Sequence, residues 1–231
     1  ETINVGTAID LSGLGLDAIE ETEEGFSIGA MVTLRKLEQH PGLNAYTHGA
    51  MREAVRHIVG VQLRNLATVG GSIYSRFGFS DVLTMFLAMD CQVELYKGGL
   101  VPLREYAQRP YDRDVLVRLL VKKEAAEFYY QSVRNSQTDI PVLTCAAARK
   151  ADGNYRIAIG ARPLRAVLFE CPAVPGAEAA ERAASIAQTV KQQTVTGSNM
   201  RGSAEYRSHL TGVLTKRAVL ELEQRAKQEE Q

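Results

Sequence analysis

A chain of 231 residues in which 45% of side chains are hydrophobic can bury the core of one large globular domain or two small ones. Its 27 basic and 27 acidic residues cancel, and no basic stripe with interleaved aromatics is present, which argues against nucleic acid as the main partner. The longest apolar runs, such as Val82 to Met89, fall far short of a membrane span, and the N-terminus carries no secretory signal pattern.

Cys91, Cys145 and Cys171 are odd in number and far apart, so no disulfide framework and no zinc or iron–sulfur spacing is expected, and a reducing cytoplasm fits best. His40, His48, His57 and His209 share no metal-ligand spacing and read as surface or capping residues. Cys145 has small apolar neighbours and no identifiable histidine partner, so it reads as a buried thiol rather than a nucleophile.

In chain order, a strand is predicted from about Ile3 to Ile9, then an acidic turn, EETEEG, and a second strand from Phe26 to Met31. Thr33 can cap a short helix to Gln39, which Pro41 and Gly42 end. Met51, Ala54, Val55 and Ile58 recur at i, i+3, i+4 and i+7, the buried face of an amphipathic helix that stops at Gly60. A short turn or strand follows around Thr68 to Gly71. Ser80 is placed to cap the next helix, whose apolar residues from Val82 to Met89 predict burial all round.

Cys91, Val93 and Leu95 alternate with polar residues, a half-exposed strand that turns at Lys97-Gly98-Gly99 into Leu100–Leu103. Further strands are predicted over Asp114–Val121 and Glu127–Arg134, with a domain boundary in the polar connection between them. Val142–Arg149 fits a strand or a buried helix, since a short apolar run does not decide by periodicity. Strands over Tyr155–Ile159 and Val167–Phe169 precede an Ala-rich helix, Ala177–Gln192, with Ala180, Ala184, Ala187 and Val190 inward. A terminal helix runs from Arg201 to about Arg225, with Tyr206, Leu210, Val213 and Leu214 on one face.

The stretch with most chemical content is Gln62 to Asp81, QLRNLATVGGSIYSRFGFSD. Gly70 and Gly71 lack Cβ atoms, can reach positive φ and would let a ligand approach the main chain. Thr68 and Ser72 add hydroxyls, and Asp81 adds an acceptor. A bare Gly-Gly pair is also a common turn marker, and Asp81 could serve only the helix dipole, so both readings stand from the residues alone. Neither a GxGxxG fingerprint nor a P-loop is present. Arg201-Gly202-Ser203 reads as helix initiation and Arg162 and Arg165 as solvated side chains.

QLRNLATVGGSI at Gln62–Ile73 resembles the Q-I-R-N-x-A-T-x-G-G-N-I flavin loop of the FAD-binding subunits of molybdenum hydroxylases, the xanthine dehydrogenase and carbon monoxide dehydrogenase group. FSDVLTMFLAMDCQVEL at Phe79–Leu95 continues that resemblance, IDLSGLGLDAIEETEEGFSIGAMVTLRKLEQHP at Ile9–Pro41 is similar to the segment before the loop, and MRGSAEYRSHLTGVLTKRAV at Met200–Val219 is similar to the family's terminal R-G-S-x-x-Y-R helix. The resemblance implies an α+β fold: an FAD-binding lobe of the molybdopterin dehydrogenase type over residues 1–123, then an α/β domain of the CO dehydrogenase flavoprotein C-terminal type over residues 124–231.

It further implies FAD on this chain, with Thr68, Gly70, Gly71 and Ser72 at the flavin and its phosphates, Asp81 near the ribityl or adenosine hydroxyls, and Leu116 packed beside the ring. Electrons would arrive from [2Fe-2S] clusters on a small subunit, after oxidation of a substrate at molybdopterin on a large subunit, and leave to NAD or another acceptor. Departures from the family pattern stand out. Ser72 replaces an Asn, Arg76-Phe77-Gly78 replaces an Ala-Ser-Pro step, and Gln131 falls near a position often held by Lys. Nothing like the family's A-G-G-T-D-L pyrophosphate loop precedes Glu1, so the chain is expected to begin after that loop. An assembly or scaffold subunit with weak or no FAD binding, or a flavin oxidoreductase acting alone, are the alternative readings.

Overall fold

The computed structural model describes residues 6–229. A first sheet has the order β1 (Ile19–Glu21), β2 (Gly25–Gly29), β5 (Leu116–Lys122), β3 (Cys91–Leu95), β4 (Gly99–Pro102), and every pairing in it is antiparallel. The β3–β4 hairpin turns where Asp114 accepts the N–H groups of Lys97 at 3.0 Å and Gly98 at 2.7 Å. Seven short helices accompany this sheet: α1 (Leu34–Gln39), α2 (Pro41–Tyr46), α3 (Ala50–Arg56), α4 (Val61–Arg64), α5 (Val69–Tyr74), α6 (Asp81–Leu87) and α7 (Leu103–Tyr106).

The second sheet is an antiparallel meander, β6 (Ala126–Val133), β7 (Leu143–Lys150), β8 (Tyr155–Gly160) and β9 (Val167–Cys171), followed by α8 (Ala179–Gln193) and α9 (Ala204–Glu229). It is covered on both faces. Phe128, Tyr130, Ala146, Ala148 and Ala158 join the core of the first lobe, which includes α6, while Cys145, Ala147, Ile157 and Ile159 pack with Ile186, Val190, Leu214 and Leu222 of α8 and α9. Small alanines on the α6 side let that helix lie close to the sheet. The apolar run at Val142–Arg149 is therefore a strand buried on both sides, which removes the alternation that marks a half-exposed one.

Several expectations are corrected. The strand placed at Ile3–Ile9 falls partly outside the described residues, and residues 6–9 carry no strand. The first strand is instead Ile19–Glu21, which overlaps the start of the segment read as an acidic turn; an exposed edge strand with a single apolar residue leaves no alternation to detect. Pro41 does not simply stop α1. It opens α2 at the first helical position, where a missing N–H is tolerated, with His40 Nδ1 accepting from Leu43 N at 3.1 Å. On α8 the buried stripe is Ala183, Ile186, Ala187 and Val190, so Ala180 and Ala184 face out. Tyr206 on α9 is exposed, whereas Leu210 and Leu214 are buried. Among the described residues no helix is long and apolar enough to cross a membrane, and no cluster of His, Cys, Asp or Glu could hold a metal ion.

Candidate functional site

The segment from Thr68 to Val82 lines a cavity of about 440 Å³. Its wall is largely apolar, with Ile58, Leu66, Phe77, Phe79 and Val82, and its polar points are the hydroxyls of Thr68, Ser72, Ser75 and Ser80 and the Asp81 carboxyl. Phe77 and Phe79 stack with ring centroids 5.1 Å apart at the rim, each exposed. A larger cleft of about 570 Å³ lies between Asp90–Gln92 and β8–β9, but Arg104 and Arg156 there pair with Glu170 and Glu124.

The stretch expected as a turn or strand is the helix α5. Two glycines are poor helix formers, so local propensity opposes it. Tertiary bonds supply what propensity lacks. Val69 N donates to Val32 O and Gly70 N to Ala30 O, each at 2.8 Å, while Gly71 N reaches the Thr68 hydroxyl at 3.1 Å and Ser72 N the Thr68 carbonyl at 3.1 Å. All four first-turn donors are thereby used inside the chain. The reading in which a ligand meets free amides at Gly70-Gly71 is corrected accordingly: what α5 leaves open there is side chains and the bare Cα face of Gly71.

The two glycines also differ. Neither has positive φ. A Cβ at Gly70 would lie 2.7 Å from the Ala30 Cβ and carbonyl oxygen, so Gly70 is required by packing. A Cβ at Gly71 would meet only the Thr68 hydroxyl, at 3.3 Å, and Gly71 lines the cavity. The fold therefore constrains residue 71 far less than residue 70, through that one contact with the capping hydroxyl.

Ser80 caps α6, accepting from Leu83 N at 3.1 Å, and donates to the Ser72 carbonyl at 3.1 Å. It ties the two helices that frame the cavity. Ser80→Ala is expected to cost about 1–2 kcal/mol, a lost cap plus one further hydrogen bond, measured by denaturant unfolding. A change within a few tenths of a kcal/mol would mean that water replaces both bonds.

Asp81 is 5% exposed and lines the cavity. Its Oδ1 accepts from the Tyr130 hydroxyl at 2.5 Å and from Arg134 Nη2, both on or just after β6. Burial pushes its carboxyl up to about 6, with the Arg134 charge and the Tyr130 hydroxyl acting in the opposite direction. Sequence reasoning missed Tyr130 and Arg134. Their four-residue spacing puts them on one side of a strand, a signal that only the partner across the lobe junction makes meaningful.

Of the expected site residues, the structure gathers Thr68, Gly71, Ser72 and Asp81 at the cavity. Gly70 sits behind it against Ala30, and Leu116 is a 4%-exposed core residue of β5 outside the lining. Cys145 is fully buried and its thiol is pushed up to about 12 by burial, so it is inert as a nucleophile. Arg162 and Arg165 are not merely solvated: Arg162 Nε bonds the Arg165 carbonyl at 2.8 Å, and Arg165 Nη1 the Arg109 carbonyl at 2.7 Å. Arg201 makes a forked contact with Asp139, its Nη2 3.0 Å from Oδ1 and its Nε 3.2 Å from Oδ2.

Residues 1–123 match the family described as the FAD binding domain in molybdopterin dehydrogenase, and residues 127–222 match the CO dehydrogenase flavoprotein C-terminal domain. The chain is 28% identical over 207 residues to the uncharacterized protein YgfM of Escherichia coli strain K12, covering 90% of this chain and 76% of that one. It is 27% identical over 235 residues to the putative xanthine dehydrogenase FAD-binding subunit XdhB of the same strain, covering 92% and 80%. Its fold is shared with quinoline 2-oxidoreductase from Pseudomonas putida 86, with a TM-score of 0.79 at 21% identity over 91% of this chain and 79% of that one.

Proposed function

We propose that this chain, which belongs to the FAD-binding domain family of the molybdopterin dehydrogenases, is the electron-transfer flavoprotein subunit of a molybdenum hydroxylase. In this reading electrons come from [2Fe-2S] clusters on a small partner subunit, after a substrate is oxidised on a molybdopterin-binding large subunit, and leave to NAD or another acceptor. Residues 1–123 act as the FAD-binding unit and residues 124–231 as its companion. Three free, buried cysteines suit a reducing cytoplasm.

The observation that carries the reading is Gly71. A helical glycine costs about 1 kcal/mol relative to alanine, and φ does not impose this one, while packing offers only the single 3.3 Å approach to the Thr68 hydroxyl. A ligand lying against its Cα face supplies the reason. The residues fit FAD: an apolar wall with Phe77 and Phe79 at the rim suits a flat ring, and the polar groups suit its hydroxyls.

Bound FAD supplies the two-electron chemistry, and the chain supplies orientation and charge. The Thr68 hydroxyl accepts from Gly71 N, so its proton is left to donate. Ser72 donates to the Thr68 carbonyl at 3.0 Å, which leaves its oxygen as an acceptor. The Ser80 hydroxyl already donates and accepts within the chain, so it positions the frame. Asp81 accepts a hydrogen bond from a flavin hydroxyl through the oxygen that Tyr130 and Arg134 do not hold.

Purification of the assembled complex and a visible spectrum test the reading. Flavin bands at about one FAD per copy of this chain are expected. Their absence after incubation with added FAD would overturn it and favour an assembly or scaffold role.

A further inference from the structure

We infer that Tyr130 and Arg134 of the second lobe are positioning residues that hold the Asp81 carboxylate for a ligand hydroxyl in the Thr68–Val82 cavity, so that the site is completed across the lobe junction. The inference rests on the flavin reading above and goes beyond it, since it gives residues outside the flavin loop a part in the site.

Both donors converge on one oxygen, Asp81 Oδ1. No other side chain among the described residues donates to that carboxylate, which leaves Oδ2 to a ligand at the wall that Asp81 lines. Ser80 caps α6, so the helix asks of Asp81 only a negative charge in its first turn, which does not require a carboxylate buried against Tyr130 and Arg134. A carboxylate this deeply buried would tend to take up a proton, and a charged hydrogen bond from Arg134 opposes that. The arrangement thus fixes both the orientation and the charge of the acceptor.

Arg134 is itself held. Its Nη1 donates to the Asp139 carbonyl, the Asp139 carboxylate is forked by Arg201, and the Arg201 carbonyl accepts from Asn135 Nδ2 at 3.3 Å. A chain of contacts therefore runs from Arg201, at the start of the terminal Arg-Gly-Ser segment, through Asp139 and Arg134 to Asp81. The terminal segment is thus linked to Asp81 through Asp139 and Arg134, without touching it. Arg134 Nε has no hydrogen-bond partner although it is buried, and the side chain is only 7% exposed, so its placement is imposed by these end-on contacts.

A double-mutant cycle in the assembled complex tests the inference, with FAD affinity read by flavin fluorescence and stability by thermal unfolding. Arg134→Met and Asp81→Asn should each weaken FAD binding by about tenfold, and the double variant should bind no more weakly than Asp81→Asn alone. Tyr130→Phe, which keeps the ring in place, should cost several-fold in affinity, and that cost should vanish in the Asp81→Asn background. It carries the test should Arg134→Met fail to fold. Losses that multiply in both cycles would overturn the inference while leaving the flavin reading intact. A wild-type complex that binds no FAD would overturn both.

Discussion

Glu223→Ala is expected to destabilise the chain by about 3 kcal/mol, seen as a fall of roughly 6–12 °C in the unfolding midpoint. Glu223 lies on α9, is 6% exposed, and accepts from Arg149 Nε at 3.1 Å, from the Tyr155 hydroxyl and from Arg182 Nη1. One carboxylate thus joins β7, β8, α8 and α9. Its removal strips the acceptor from a buried phenol and from two guanidiniums. Those guanidiniums belong to side chains 25% and 18% exposed, so water recovers part of the loss and the value sits at the low end for a broken buried pair.

Glu223→Gln keeps the shape and loses the charge, and should cost about 1–2 kcal/mol. The difference between wild type and this variant should depend on pH. Burial pushes the Glu223 carboxyl up, but the bonds from Tyr155, Arg182 and Arg149 outweigh it and hold the group below the usual glutamate range. A depressed folded value means that the stabilisation is complete above the unfolded glutamate value and is lost as pH falls through the folded one. The gap should therefore be full at pH 7 and close progressively below about pH 4.5. A gap of constant size from pH 7 to pH 3 would rule out the charge as its source.

Which elements could be read from the residues follows from how each meets solvent. The helix α3, with Met51, Ala54 and Val55 buried, and the hairpin β3–β4 each have one wet face, so their periods of 3.6 and 2 survive in the sequence. The strand β7 has no wet face, because the first lobe covers one side and α8 and α9 the other, and its composition alone could not separate strand from helix. The helix α5 was hidden for the opposite reason: Gly70 and Gly71 argue locally against a helix that Ala30 and Val32 hold in place. At the candidate site, Thr68, Gly71, Ser72 and Asp81 were legible because they sit within one stretch of chain. The partners of Asp81 were not, since Tyr130 and Arg134 lie 49 and 53 residues further on and come near only when the second sheet closes over α6.

Substitution of the two adjacent glycines is expected to separate fold from ligand binding. Gly70→Ala brings a Cβ to 2.7 Å from the Ala30 Cβ and carbonyl oxygen and to 3.0 Å from its Cα. Two of those three atoms are backbone, and Gly70 N is bonded to that same carbonyl at 2.8 Å, so relief requires α5 to move from the β2–α1 connection. A cost of about 1–3 kcal/mol from overpacking outweighs the gain of up to about 1 kcal/mol in helix propensity. Gly71→Ala gains the same propensity against one contact of 3.3 Å to the Thr68 hydroxyl, so its stability should stay within about 0.5 kcal/mol of wild type. FAD affinity should behave in reverse. A methyl group at residue 71 enters the space that the ligand needs and should weaken binding about tenfold, with Gly71→Leu abolishing it in a folded protein. Denaturant unfolding and flavin titration of the same three variants make the comparison. If Gly71→Leu retains FAD as wild type does, the flavin does not lie against this helix.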